Sequence, residues 1–212
     1  MSAIGVKEIK KMNRTIKLLI LSDIFVVTGF GLIDPILAIF INDKIIGGTI
    51  FTAGIASSLF WIVKSLFQLP VSKYVDKHGF NYSIKLLIGS TFLISLVPIL
   101  YIFSKHINLI FLAQIIHGIA SGLAYPAWLG IWSTYLDKGK ESYEWSMYST
   151  IVSIGSAISG ATGAAIAEFI GFTITFILVG LVSLVGCLIL INLTKKNYQL
   201  INDNLKKPLL PK

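Results

Sequence analysis

Charged residues are scarce in this chain: Asp, Glu, Lys and Arg make up 13% of its 212 residues, about half the share found in an ordinary soluble domain. Hydrophobic residues make up 55%, and the mean hydropathy is +0.80. This balance excludes a typical water-soluble fold and leaves little room for a fused soluble enzyme. The composition therefore predicts an integral membrane protein.

Cysteine is almost absent as well, since Cys187 is the only one, which excludes a disulfide within the chain. No cluster of Cys, His and carboxylates has the spacing of a metal site, and no segment has the pattern of a nucleotide-binding loop. We therefore expect no metal, no cofactor and no ATP-driven step. No nucleophile is paired with a base, so we also expect that the protein is not an enzyme.

Six apolar stretches fill most of the chain, and each is long enough for a helix to cross a hydrocarbon core of roughly 30 Å. They cover residues 16–41, 49–72, 84–104, 107–136, 144–168 and 172–193. The predicted fold class is an all-α membrane protein, with a transmembrane domain of six helices over residues 16–193. A cytoplasmic N-terminal segment, 1–15, precedes this domain, and a polar tail, 194–212, follows it.

The basic residues predict which side of the membrane each loop occupies. With the N-terminus inside, 15 of the 18 Lys and Arg residues fall in cytoplasmic segments, while Lys44 and Lys105 fall outside and Lys64 lies within a span. This bias predicts that both termini are cytoplasmic, with the plasma (inner) membrane as the expected location. Because the charges cluster at helix ends, the net charge of +8 does not predict a nucleic-acid partner.

The cytoplasmic connection between the second and third spans contains Ser72, Asp76, Lys77 and Gly79. This connection resembles the loop signature of the major facilitator superfamily, in which the acid, the base and the last glycine match and Ser72 stands where the family has a glycine. The resemblance implies a gating role for this loop, in which the acid contacts the cytoplasmic end of a helix in an opposite half of the transporter.

Other stretches resemble the same family in the same order along the chain. Residues 29–40 are similar to the end of its first helix, and 114–127 are similar to a stretch of its fourth helix, with Gln114 in the place of an arginine. Small residues in the fifth span are similar to the glycine-rich antiporter motif. Together these likenesses cover the N-terminal, six-helix half of a twelve-helix family.

The resemblance implies a half-size secondary transporter that carries small organic molecules, coupled to protons, and exposes a central cavity alternately to each side. Because the family has two six-helix halves, the chain is expected to act with a second copy of itself or with a separately encoded half. The alternative is a different class of protein, a membrane scaffold or assembly partner that retains the six-helix fold without transporting.

Two acids, Asp23 and Asp34, lie within the first span. They are eleven residues apart, which places them within about 20° of each other on a helix. A charged aspartate at the centre of a spanning helix costs about 2.5–3.5 kcal/mol on insertion scales, so this face should border a protein cavity. The functional reading is proton coupling, and the alternative is a structural acid.

The second span carries Lys64, which is predicted either to pair with Asp23 or to extend its ammonium toward the membrane surface. Gln68, one turn away, and Gln114 and His117 in the fourth span add polar groups that belong on the cavity side. His117 either titrates near neutrality or is a neutral core residue.

Aromatic residues follow one face of the fourth span, where Tyr125 and Trp128 either belong to the interfacial belt or form a wall for a lipophilic or cationic substrate. Small residues at helical spacing predict close helix packing. These are Gly118, Gly122, Gly155, Gly160 and Gly163.

Overall fold

The computed structural model describes the backbone of residues 12–205 and the side chains of 12–194. Within that range the chain forms six helices and no strand. The helices are α1 (Arg14–Gly31), α2 (Leu37–Lys44), α3 (Ile50–Phe103), α4 (Ile107–Tyr135), α5 (Glu141–Phe169) and α6 (Phe172–Leu205). The expected all-α class is confirmed, and α3, α4, α5 and α6 are long and apolar enough to cross a membrane.

The first apolar stretch, 16–41, is not one continuous helix, because a turn over residues 32–36 separates α1 from α2. Pro35 lies in this turn and has no backbone N–H to donate. The amides of Ile36 and Leu37 both bond the carbonyl of Ile33, at 3.0 and 2.8 Å. The turn holds Asp34 between two helices rather than inside one.

Helix α3 combines the second and third predicted spans. At 1.5 Å per residue its 54 residues would extend about 80 Å, far more than a bilayer core. Gly79 interrupts it with φ 69° and ψ −167°, a conformation that residues with a Cβ rarely adopt. The connection predicted over 72–81 is thus helical on both sides of a one-residue break, and we call the two halves α3a (50–78) and α3b (80–103).

The two halves of α3 fold back on each other. The segments just before and just after α3 are joined by two backbone hydrogen bonds. The amide of Ile46 bonds the carbonyl of Lys105 at 2.9 Å, and the amide of Ile107 bonds the carbonyl of Ile46 at 3.1 Å. Since residue 46 precedes α3 and residues 105 and 107 follow it, α3a and α3b run in opposite directions.

Close approaches at glycines fix the directions of the other helices. Gly118 faces Phe60 and Gly122 faces Lys64, so α4 runs parallel to α3a, and an added Cβ at either glycine would come within 2.8 Å of a backbone carbonyl oxygen. Gly155 contacts Thr28 and Gly163 contacts Leu32, so α5 runs parallel to α1. A Cβ added at Gly160 would make only ordinary contacts, at 3.8 Å, with the carbonyl oxygen of Gly31 and the ring of Pro35.

Helix α6 runs antiparallel to both α1 and α3b. The Ser22 hydroxyl donates to the carbonyl of Gly186 at 3.0 Å, and the Cys187 thiol donates to the carbonyl of Ile88 at 3.5 Å. Its backbone stays helical to Leu205, beyond the predicted boundary at 193. The rest of the predicted tail, 206–212, and residues 1–11 of the N-terminal segment lie outside the described residues.

Two clusters of buried side chains stabilise the bundle at opposite ends. One surrounds the turn between α1 and α2 and includes Ile33, Phe40, Tyr101 and Phe176. The other surrounds the beginning of α1 and includes Ile16, Leu19, Ile84 and Trp132.

Candidate functional site

A cavity of about 770 Å³ lies among the helices, and α1, α2, both halves of α3, α4, α5 and α6 all contribute to its wall. Most of the lining is apolar, but charged and polar side chains are concentrated in it. They are Asp23, Asp34, Ser57, Lys64, Thr91, Tyr101, Gln114, His117, Ser121, Tyr125 and Tyr148. A volume of this size falls within the range of small-molecule binding sites.

The charged groups occupy different depths of this cavity. Lys64 lies opposite Gly122, near the middle of α4. Asp23 lies about 14 Å from the beginning of α1 at 1.5 Å per residue, and Asp34 lies in the turn beyond the other end of that helix. The cavity therefore has a cation near its midpoint and a carboxylate toward each end.

Asp23 accepts a hydrogen bond from the phenol of Tyr148, with 2.9 Å between the two oxygens. Tyr148 lies on α5, which runs beside α1 in the same direction, so the two side chains meet across a helix pair. The predicted pairing of Asp23 with Lys64 does not form, because the acid has its partner on α5 and the lysine is held elsewhere.

Lys64 is surrounded by aromatic rings instead. Its Nζ lies 4.8 Å from the ring centre of Trp61, 5.2 Å from that of Tyr125 and 5.9 Å from that of Phe60. Two of these rings come from the preceding turn of α3a, where residues three and four positions apart share a face. Across the described side chains no carboxylate lies within ion-pairing distance of this ammonium, so ring faces provide its favourable contacts.

Asp34 lines the cavity beside the buried ring of Tyr101. Its side chain makes no hydrogen bond or ion pair with any other residue of the described part of the chain. A carboxylate without a protein partner is free to exchange a proton or to contact a solute.

Gln114 and His117 both line the cavity, as the sequence predicts. Gln114 is 5% exposed. The imidazole of His117 stacks on Phe30, with 4.7 Å between ring centres, and lies 4.6 Å from the ring of Phe60. Gln68 is half-buried and does not contribute to the cavity wall, so the cavity position predicted for it is not observed.

Four aromatic rings form a compact cluster next to Asp23. Trp128 and Trp132 on α4 stack at 4.9 Å with an angle of 15°, and Trp145 and Tyr148 on α5 pack against both. Tyr125 and Trp128 both line the cavity. Sequence reasoning missed Trp145 and Tyr148, although their spacing of three residues places them on one face of α5.

The predicted gating residues lie away from the cavity, around the break at Gly79. Asp76 and Lys77 are exposed, and the Ser72 hydroxyl donates to the carbonyl of Leu69 at 2.8 Å. Asp76 has no ion-pair partner among the described side chains. Its carboxylate is therefore available to contact another bundle, as the family resemblance implies.

A bundle of long apolar helices around a cavity of solute size, with charged and polar side chains in a mostly apolar wall, defines an integral membrane protein with the architecture of a transporter. Residues 19–210 match the Major Facilitator Superfamily, and the chain belongs to this family. The family expected from the loop signature is confirmed, and members of this family are generally transporters rather than enzymes.

One relative is the proton-coupled antiporter flippase LtaA of Staphylococcus saprophyticus subsp. saprophyticus. The two sequences are 24% identical over 102 residues, which is 48% of this chain and 26% of that protein. The matched segment thus spans about a quarter of the length of this relative. The similarity agrees with the assignment to a family of membrane transporters.

Proposed function

We propose that this chain forms one six-helix half of a secondary active transporter that carries small organic molecules through alternating access. The observation that carries the proposal is the cavity, because Asp23, Asp34 and Lys64 all border it within an otherwise apolar bundle. Charged groups at such depth are costly and are typical of substrate and proton pathways.

The proposed topology has six crossings with both termini in the cytoplasm of the plasma (inner) membrane. The opposed directions of α3a and α3b support two crossings from α3, and α1 with α2 makes the first crossing as a broken helix. The break at Gly79 and the loop at residues 137–140 then share the cytoplasmic side with most of the basic residues.

A second six-helix bundle is proposed to complete the pathway, supplied by another copy of the chain or by a separate partner half. Helix α5 supports this, since only Glu144, Gly163 and Ala167 of its 29 residues are buried. Its uncovered residues include the small or polar Ser146, Thr150 and Ala161 next to the exposed side chains of Ile154 and Ile158, and small residues at helical spacing allow close contact with another helix.

Proton coupling is proposed at Asp34 and Asp23. A carboxylate that is desolvated when the cavity closes takes up a proton, and it releases the proton when water returns. No described side chain forms a hydrogen bond or ion pair that would hold Asp34 ionised, and the relative's name, a proton-coupled antiporter flippase, agrees with this role.

The test is proton movement in proteoliposomes that contain a trapped pH-sensitive dye. A panel of small organic cations, anions and neutral compounds is added under a pH gradient. We expect at least one of these classes of compound to drive the release of protons from the vesicles. Asp34→Asn should lower this rate at least about tenfold. Asp43→Asn is the matched control, because Asp43 is exposed on α2 and bonds only its neighbour Asn42.

Two outcomes would contradict the proposal. If folded protein moves no protons with any compound, the non-transporting scaffold becomes the better interpretation. If native mass spectrometry finds one copy of the chain alone in preparations that transport fully, the requirement for a second bundle is wrong.

A further inference from the structure

The aromatic cluster beside Asp23 is unusually complete. All six distances between the ring centres of Trp128, Trp132, Trp145 and Tyr148 lie between 4.9 and 6.0 Å. Three of these residues line the cavity, while Trp132 is fully buried behind them and stacks on Trp128. At these separations the rings are in contact with one another, and Trp128, Trp145 and Tyr148 present their remaining surface to the cavity.

The carboxylate of Asp23 lies beside this cluster. It accepts the hydrogen bond from the Tyr148 hydroxyl, and the side chain of Trp128 lies next to it. No Lys, Arg or His in the described portion of the chain forms an ion pair with it. A carboxylate beside aromatic rings attracts a cation and repels an anion.

Lys64 shows that ring faces in this cavity hold an ammonium group. It occupies a second aromatic set, formed by Phe60, Trp61 and Tyr125, with distances of 4.8–5.9 Å to the ring centres. These distances are within the roughly 6 Å over which cation–π attraction is effective. The cluster at Asp23 also consists of aromatic rings and has a carboxylate in addition, but none of the described side chains places an ammonium group there.

We propose that Asp23, Trp128, Trp145 and Tyr148 form a binding site for the ammonium head of an organic cation. This inference rests on the proposed transport function and assigns a substrate class to its cavity. The cavity-facing surfaces of the three aromatic residues contact the alkyl groups of the head, Asp23 neutralises its charge, and the Tyr148 hydroxyl orients the carboxylate. The rest of the cavity is mostly apolar and accommodates the remainder of the molecule.

Choline and its uncharged isostere 3,3-dimethylbutan-1-ol provide a direct test, because they differ in charge and hardly in shape. Binding is measured at equilibrium by calorimetry with the full chain in lipid nanodiscs. Intrinsic fluorescence is a second readout, since three of the four tryptophans of the chain belong to the cluster. We expect choline to bind at least about tenfold more tightly than the isostere.

Substitutions locate the site. Trp145→Leu should weaken choline binding by about 3- to 30-fold, the range for one desolvated cation–π contact, and Asp23→Asn by at least about tenfold. Trp145→Phe keeps an aromatic face and should restore most of the affinity. Tyr143→Leu is the matched control, because Tyr143 lies on the same turns of α5 without lining the cavity.

Equal binding of choline and the isostere, or unchanged affinity in folded Trp145→Leu and Asp23→Asn proteins, would overturn the inference. Because no gradient or flux is involved, the result is independent of the transport test. Choline binding without transport would support the ammonium site and reject the proposed transport function. Transport of a neutral compound without choline binding would support the transport function and reject the ammonium site.

Discussion

Lys64 brings a positive charge into the middle of an apolar bundle, where the rings of Phe60, Trp61 and Tyr125 surround its ammonium. Aromatic faces offer an ammonium an attraction of about 0.5–2 kcal/mol, which offsets part of the desolvation cost without a second buried charge. Asp23 finds a neutral partner, Tyr148. The two opposite charges of the cavity are therefore held separately.

This separation predicts the result of a double-mutant cycle on the free energy of unfolding. Lys64→Met and Asp23→Asn should have additive effects, with a coupling energy below about 0.5 kcal/mol, because the residues share no direct contact. Tyr148→Phe with Asp23→Asn is the control cycle, and its coupling should approach the 1.5–3 kcal/mol of a hydrogen bond to a charged group. Unfolding in mixed detergent measures both.

A coupling above about 1 kcal/mol between Lys64 and Asp23 would show that they do form an ion pair. Sequence reasoning placed both residues at a cavity correctly, since a charge in an apolar helix needs a polar environment. It did not find Tyr148, because that residue is 125 positions from Asp23 and the two meet only through the packing of α5 on α1.

At the scale of the helices, the contact of α1 with α5 depends on small residues. Gly163 lies against the backbone of Leu32, Gly155 against the side chain of Thr28, and Gly31 against Ser156 and Ser159. Backbones at such separations leave no room for a methyl group, so the two helices approach more closely than larger side chains would allow. This approach also brings Tyr148 to Asp23.

Gly163→Ala should therefore destabilise the protein by about 1–3 kcal/mol, since the new Cβ would overlap the carbonyl of Leu32. The matched control is Gly89→Ala in α3b, where an added Cβ meets nothing within 4 Å. Alanine is the better helix former, so the control should be neutral or stabilising by up to about 1 kcal/mol. Thermal unfolding in detergent distinguishes the two, and equal effects would contradict the close contact.

Helix boundaries were predictable from hydropathy where polar residues end an apolar run. The predicted span 107–136 corresponds to Ile107–Tyr135, and 144–168 corresponds to Glu141–Phe169. The break between α1 and α2 was not predictable, even though Pro35 lies in it. Helices α3 and α4 contain Pro70, Pro98 and Pro126 without ending there, so a proline alone does not distinguish a turn from a tolerated residue in a spanning helix.

Over the whole molecule, the two ends of the bundle differ in charge. One end holds the pairing of Ile46 with Lys105 and carries Lys44 and Lys105. The other holds the break at Gly79 and the loop before α5, and its basic residues are Arg14, Lys17, Lys73, Lys77, Lys85, Lys138 and Lys140. Positively charged segments remain preferentially in the cytoplasm during insertion, so the second end is expected to face inward.

Cysteine labelling in intact cells tests this orientation. Only one native cysteine has to be replaced, because Cys187 is the only cysteine of the chain, and it is 3% exposed. On a Cys187→Ser background, Lys105→Cys should react with a membrane-impermeant maleimide added outside. Lys77→Cys and Lys138→Cys should react only after the membrane is permeabilised. All three positions are exposed in the structure, so a difference in labelling reports the side of the membrane rather than burial.

The three labelling positions also test the number of membrane crossings. Positions 77 and 105 are separated by α3b alone, and positions 105 and 138 by α4 alone. If α3b and α4 each cross the bilayer, labelling must alternate between them. Labelling of positions 77 and 105 from the same side would mean that α3b does not cross the membrane. The apolar residues of α3b would then have no membrane to bury them. This result would reject the six-crossing topology on which the shared cavity depends.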